Sequence, residues 1–355
     1  MSNTSLSIEK NIKKSVDKYK GQIKDGNHTK YTIFSIIGFL LFYYGLNYYL
    51  HDIYSEEEGN IIINKTKLTD SIYVLHGPNS NVLVFVGNDG TLLVDTEKTD
   101  VSELINATIQ EITDKPIKFI INTHWHSDHT DGNKKLGKEA IIIAHDNVRN
   151  RLTSNQYDPF DRTNTSPLPK DSLPLITYSD NMTLYYNNDE IKIIHAPGHT
   201  DGDSIVYFVK NNLIYLGDLL EDREYTSINT YSKGNIDNLI SSLERAKSLI
   251  NNKTIIYGGH FNQVITLEHF NYNVNALKEY NDTITKYITD NRVTGDKLEE
   301  YNIIDNKLLN DIKVISENLT TKHSGIINEP NPWYSGYNLT VDIILNRIGD
   351  NKTNE

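Results

Sequence analysis

Thr123-His124-Trp125-His126-Ser127-Asp128-His129 gathers three imidazoles and a carboxylate directly after the apolar run at residues 117–121. That run, broken only by Lys118, reads as a buried strand, so the polar cluster stands in the loop at its end. Neutral imidazole nitrogen and carboxylate oxygen are the donors that a borderline cation such as Zn²⁺ selects. In a loop, residues i and i+2 can turn toward one centre. His124 and His126 then share a focus, and Asp128 with His129 can face a second one.

Three segments downstream can close such a site. His199 stands in Pro197-Gly198-His199-Thr200-Asp201-Gly202-Asp203, a glycine-rich turn between two strand-like runs. Asp218 follows the apolar run 213–216 and Gly217, and His260 follows Gly258-Gly259 after the run 254–257. Each stands at a strand end beside glycine, where the backbone can approach a cleft closely. Each alone reads as a polar surface residue; the set together points to a metal site. His195, four residues before His199, reads as a contact to the site rather than a ligand. His76, His145 and His269 read as structural or exposed, and Trp125 as a packed neighbour of the loop or a wall of the cleft.

Working outward, residues 72–75, 81–86, 91–94, 117–122 and 140–144 have strand patterns, with Gly87-Asn88-Asp89-Gly90 as a hairpin turn. Residues 101–112 and 146–152 have helical spacing, and 153–174 reads as a loop. A second group of strand patterns follows at 183–186, 191–194, 204–209, 213–216 and 254–257. Helical patterns stand at 236–250 and 267–287. Strand groups followed by helices, twice over, predict two sheets face to face with helices outside. Residues 297–319 read as helix, 330–333 as a turn, and 349–355 as a frayed tail.

The series HWHSDH at 124–129, GHTDGD at 198–203, GD at 217–218 and GGH at 258–260 resembles the metallo-β-lactamase superfamily over about residues 70–290. Asp95, in Leu92-Leu93-Val94-Asp95-Thr96, matches a superfamily position that buttresses the loop. The resemblance implies an α/β fold, a four-layer αββα sandwich with its cleft at one edge of the two sheets. It implies two Zn²⁺ ions, with Fe or Mn as other candidates. His124, His126 and His199 would hold one ion and Asp128, His129 and His260 the other, with Asp218 bridging and Asp128 also catalytic. Two such ions about 3.5–4 Å apart can generate a bridging hydroxide at neutral pH and polarise the scissile bond. Metal-bound imidazoles donate their other N–H to a carboxylate or carbonyl, and Asp95, Asp201 and Asp203 are the candidates for that role.

The implied activity is hydrolysis of an ester, thioester, lactone or β-lactam bond of a small-molecule substrate. Family members with iron redox chemistry replace one loop histidine by glutamate, whereas His126 is present here. Lactamases of the family often carry Cys or Ser at the position of Asp218 and a Lys three residues on, where this chain has Glu221, with Arg223 nearby. Two alternatives are carried: a phosphodiesterase or ribonuclease of the same superfamily, and a non-catalytic membrane-tethered scaffold.

The chain has 355 residues, no cysteine and a net charge of −12. Without cysteine there is no disulfide, thiolate nucleophile or zinc–thiolate site. Residues 1–30 hold seven lysines against three acidic residues, so the acidic excess lies wholly in the remainder. An acidic body repels polyanions and argues against a nucleic-acid substrate. Residues 31–50 run without a charge and end in Tyr43, Tyr44, Tyr48 and Tyr49. Twenty helical residues span roughly 30 Å, the thickness of a bilayer core. The expected organisation is a basic tail at 1–30, a transmembrane signal anchor at 31–50, the metal-binding domain at 51–290, and a C-terminal helical extension at 291–355. The lysine-rich tail places the N-terminus in the cytoplasm and the large domain on the other side of the membrane.

Overall fold

Seven short strands make the first sheet, and the side chains of its inner strands alternate between two cores. The computed structural model describes residues 61–158, 163–221, 225–299, 302–303, 305–323 and 332–352. The run at 31–50 lies outside them; no helix among the described residues is long and apolar enough to cross a membrane. The chain begins with β1 (Asn64–Lys67), β2 (Ile72–His76), β3 (Asn81–Gly87) and β4 (Gly90–Val94), then helix α1 (Ser102–Gln110). Strand β5 (Ile117–Ile121) leads through the short turns α2 (Ser127–Thr130) and α3 (Asn133–Leu136) to β6 (Ile141–His145) and α4 (Asp146–Leu152). The small hairpin β7 (Gln156–Asp158) and β8 (Thr163–Thr165) precedes β9 (Ile176–Tyr178), which completes the sheet in the order β1-β2-β3-β4-β5-β6-β9.

Leu75, Val82, Val84, Leu93, Ile120 and Ile142 pack outward with Ile105 and Ile109 of α1. Their neighbours Val74, Leu83, Phe85, Leu92, Ile121 and Ile143 point inward, to the second sheet. This period of two makes one sheet serve two cores. Burying each of these side chains contributes about 1.5–3 kcal/mol.

The second sheet runs β10 (Asn181–Tyr186), β11 (Asp189–His195), β12 (Ser204–Phe208), β13 (Leu213–Tyr215) and β14 (Ile255–Tyr257), in that order. Phe85 and Phe208 meet edge to face across the two sheets at 5.2 Å. Helices α5 (Ile236–Leu249) and α6 (Leu267–Asn291) cover the other side through Leu239, Leu243, Phe270 and Leu277. The expected helix–sheet–sheet–helix order is present. Capping starts these helices: Asn235 accepts from Asp237 N and Asn238 N, and Thr266 accepts from His269 N.

Strand direction brings the site together. In the first sheet β4, β5 and β6 are parallel, so Asp95 and the 124–129 loop leave the same edge. In the second, β13 and β14 are parallel and β11 is antiparallel to β12, itself antiparallel to β13. The turn holding His199, then Asp218 and His260, therefore all leave one edge. The two edges are joined where Asn81 N donates to Gly259 O at 2.7 Å.

The C-terminal part differs from its sequence reading. After the two-residue strands β15 (Leu298–Glu299) and β16 (Asn302–Ile303) come α7 (Asn306–Lys322) and α8 (Pro332–Lys352). Residues 330–333 were expected as a turn, but Pro332 opens α8. Proline fits the first helical position, where its missing N–H would have no partner. Ile312, Leu319, Leu339, Val341, Ile343 and Ile344 are buried in the same core as the second sheet. The described residues from 62 onward accordingly form one compact unit that takes in α7 and α8.

Candidate metal centre

Two left-handed residues shape the floor of the site. Asp95 leaves β4 with φ 63°, and Gly217 precedes Asp218 with φ 55°. A Cβ on Gly217 would meet Thr123 Cβ at 2.9 Å, and one on Gly259 would stand 2.1 Å from Asp218 Oδ1. These glycines let the edge of the second sheet approach the histidine loop of the first.

Two groups of donors converge there: His124, His126, His199 and Asp218, and beside them Asp128, His129 and His260. In the first, His126 Nδ1 stands 3.0 Å from His124 Nε2 and 2.9 Å from His199 Nε2. In the second, Asp128 Oδ2 is 3.2 Å from His129 Nε2 and 3.5 Å from His260 Nε2. One oxygen, Asp218 Oδ2, lies between the groups. It is 3.5 Å from His124 Nε2 and 3.9 Å from His199 Nε2 on one side. On the other it is 3.2 Å from His129 Nε2 and 3.1 Å from His260 Nε2.

The opposite nitrogens of His129, His199 and His124 are held by the protein. His129 Nδ1 is 2.9 Å from Asp95 Oδ2, and Asp95 also accepts from Thr123 N and Thr123 Oγ1, each at 2.8 Å. His199 Nδ1 donates to Ser227 O at 2.7 Å, and His124 Nδ1 lies 3.1 Å from Thr123 Oγ1. Of the three aspartates singled out for this role, Asp95 alone is placed beside a ring nitrogen. Asp201 forms a two-point ion pair with Arg151, at 2.9 and 2.7 Å. Asp203 accepts from Thr200 N at 2.7 Å and from its hydroxyl, closing the turn that presents His199.

Electrostatics divides the imidazoles. Burial pushes His124 well below the ordinary histidine range, His126 down to about 3, and His199 below its usual value. These three keep bare nitrogen lone pairs at neutral pH, as metal ligation requires. Burial opposes charge on His129 too, but Asp218, Asp128 and Asp95 around it hold it well above its usual value. Burial likewise opposes charge on His260, yet Asp218 beside it raises it to about 9. Burial would raise Asp218, but His129, His260 and His124 keep it well below the carboxylate range.

The donor set fits a cation. His129 Nε2 and Asp218 Oδ1 are buried without any hydrogen-bond partner. Unmatched buried polar atoms cost about 1–3 kcal/mol each. A divalent ion placed among these atoms would satisfy them together.

A cavity of about 280 Å³ opens over the site, lined among others by Asn79, Lys98, Glu221 and Ser227. Burial pushes the Glu221 carboxyl up to about 7. Arg223 lies outside the described residues. Asn79, Lys98, Ser227 and Asn229 went unnoticed in the sequence, where nothing marks them. Asn229 is fully buried, with its amide nitrogen 2.9 Å from His126 Nε2. Trp125 is packed: it is buried beside Val148 and donates to Ser232 Oγ at 2.9 Å. His195 stacks on His145 at 3.7 Å, with its Nε2 at 3.0 Å from Asp201 O, away from the donor groups.

The family model described as "Metallo-beta-lactamase superfamily" matches residues 76–260. A hydroxyacylglutathione hydrolase of Pelagibacter ubique is 31% identical over 182 residues, covering 49% of this chain and 66% of that protein. A metallo-beta-lactamase type 2 of Bacteroides fragilis is 23% identical over 231 residues, covering 61% of this chain and 87% of that protein. The chain spans between 51% and 66% of the length of three curated relatives that it matches. Among solved structures, a metallo-beta-lactamase from Pontibacter korlensis superposes with a TM-score of 0.50 at 14% identity. That superposition covers 61% of this chain and 99% of the other.

Proposed function

The chain belongs to the metallo-beta-lactamase superfamily, and on that premise we propose that it is a dinuclear zinc hydrolase of ester, thioester, lactone or lactam bonds. The observation that carries this reading is the single oxygen of Asp218 between two donor groups at the floor of an open polar cavity. Two bound cations there supply a Lewis acid and activate water at neutral pH, so no protein nucleophile is needed.

The chain's own residues do the rest. His124, His126 and His199 would hold one ion and Asp128, His129 and His260 the other, with Asp218 between them. Imidazole-rich sites also accept iron or manganese, and zinc is preferred because tetrahedral nitrogen and oxygen sites suit it. Asp128 is about one fifth exposed at the cavity wall, the one carboxylate of its group that both faces solvent and meets two imidazoles. It is the residue placed to accept a proton from the attacking water and pass it to the leaving group. Lys98 lines the same cavity and offers a cationic donor to a substrate oxygen.

Among these bonds we favour the thioester and ester. The hydroxyacylglutathione hydrolase relative supports that order. So does Glu221, which puts a carboxyl on the cavity wall where lactamases of the family often carry a Lys, and so offers no cation to the carboxylate of a β-lactam. The zinc-loaded protein is expected to turn over an S-acyl thioester faster than a chromogenic cephalosporin. Chelator should abolish that turnover and added Zn²⁺ should restore it. Thioester hydrolysis that persists in excess chelator sinks the reading. Cleavage of bis-p-nitrophenyl phosphate with no acyl-bond hydrolysis would select the phosphodiesterase alternative.

Anchoring through residues 31–50, with the catalytic domain on the extracytoplasmic side, is part of the same proposal. It is supported by the uncharged run and the lysine-rich segment before it. Full-length protein should stay with membranes in alkaline carbonate; release into the supernatant would remove the anchor from the proposal.

A further inference from the structure

Helix α8 lies beyond the residues that the superfamily model matches, yet it reaches back to the metal centre. Asp342, buried at 3% exposure, accepts from Ile228 N at 3.1 Å. Ile228 sits between two residues that grip the first donor group. On one side, Ser227 O takes His199 Nδ1 at 2.7 Å. On the other, Asn229 N donates to His199 O at 2.9 Å, and the Asn229 amide nitrogen faces His126 Nε2 at 2.9 Å. One turn further along α8, Asn346 accepts from Ile236 N at 3.0 Å and donates to Gly234 O at 3.1 Å. Gly234 N in turn donates to Asn229 O at 2.8 Å. Two side chains of one helix thus pin both ends of the segment 227–236.

The second donor group is held from elsewhere. His129 leans on Asp95, the backbone carbonyl of Asp128 accepts from Ser80 Oγ at 2.6 Å, and Gly259, beside His260, is tied to Asn81. All of these supports come from the first sheet and its loops.

We propose that Asp342 and Asn346 are positioning residues for the first metal ion alone: through the segment 227–236 they hold His126 and His199 in ligating position. The inference rests on the dinuclear metal reading given above. It makes the C-terminal helices part of the metal centre, so this chain could not bind its full metal complement without them. Asp342 suits the role because burial pushes its carboxyl up to about 8, so that it sits at neutral pH as an uncharged acid with a carbonyl oxygen for Ile228 N. Asparagine reproduces that shape and acceptor; alanine does not.

The experiment measures bound zinc in the full chain across a chelator series, for wild type, Asp342→Ala, Asp342→Asn and Asn346→Ala. Circular dichroism and melting curves accompany it. Wild type is expected to hold two equivalents. Asp342→Ala should release one of them at about 10–100-fold lower chelator strength, the loss typical of removing a support behind a ligand. The equivalent released should be the one that His199→Ala also loses, read from the visible spectrum of the Co²⁺-loaded protein. Asp342→Asn should restore both. Asn346→Ala should show the same selective loss, which keeps the test alive if Asp342→Ala does not fold. Two equivalents held as tightly as in wild type, or both lost together, overturn the inference. Wild type that binds no zinc overturns the metal reading itself, and that outcome is visible before any variant is compared.

Discussion

Asp218→Ala is expected to empty both metal positions at once, and Asp128→Ala to empty one. The asymmetry follows from the distances: Asp218 Oδ2 lies within 3.1–3.9 Å of four imidazole nitrogens drawn from both groups. Asp128 Oδ2 meets His129 and His260, both of one group. Removing a support behind a ligand costs 10–100-fold in affinity, so removing a shared ligand should cost at least about 100-fold at each position. Turnover should fall by roughly 10³-fold or more, the factor that several kcal/mol of lost electrostatic stabilisation represents. The loss reaches the metal-free fold as well, because Asp218 helps to hold the charge on His129 and His260. Zinc analysis after gel filtration, with the hydrolysis rate beside it, checks the result. Two equivalents of zinc and an undiminished rate in Asp218→Ala would remove Asp218 from the centre and with it the dinuclear reading.

Asp95→Asn should damage the second position more than the first. Asparagine tolerates the left-handed backbone that Asp95 adopts, so the substitution tests the side chain rather than the turn. Asp95 Oδ1 accepts from Thr123 N, while Oδ2 faces both Thr123 Oγ1 and His129 Nδ1. An amide oxygen can replace Oδ1, but an NH₂ group then faces His129 Nδ1. Two donors cannot share that contact, so His129 must move its proton to Nε2, the atom aimed at the metal. The expected loss is 10–100-fold in affinity at the second position. Without metal, breaking this buried charge pair should also cost about 3–5 kcal/mol of stability. Asp95→Ala adds left-handed strain of about 1–2 kcal/mol. Calorimetric zinc titration and melting curves read both effects. Equal zinc binding at both positions in Asp95→Asn would mean that His129 does not need its carboxylate partner.

Much of this centre could be read along the chain because its parts are locally encoded. A strand that ends in HWHSDH needs no distant information to become a dense donor loop, and glycines mark each later strand end that meets it. The near-continuous apolar runs of β3, β4 and β6 likewise announce a sheet with two buried faces. The elements that escaped notice are those with weak local signals. Strand β1 is fully exposed, so it lacks the alternation that betrays a strand. Hairpin β7–β8 and the pair β15–β16 are two or three residues long, too short to show a period. Helix α8 hid behind Pro332, which reads as a stop along the chain and acts as a first helical residue in the fold.

The sequence by itself determined which side chains could bind metal and the order in which they occur, because donor chemistry and glycine punctuation are properties of neighbouring residues. Only the tertiary structure decided which partners hold those donors. Asp95, Asp201 and Asp203 look alike in the sequence, yet one meets an imidazole, one an arginine and one a threonine. Asp342, 143 residues after His199, reaches the segment that holds it only because α8 packs beside α5. Such choices depend on which strand ends the parallel pairings set side by side and on where a helix is seated. Those are through-space relations that carry no mark in the local pattern of residues.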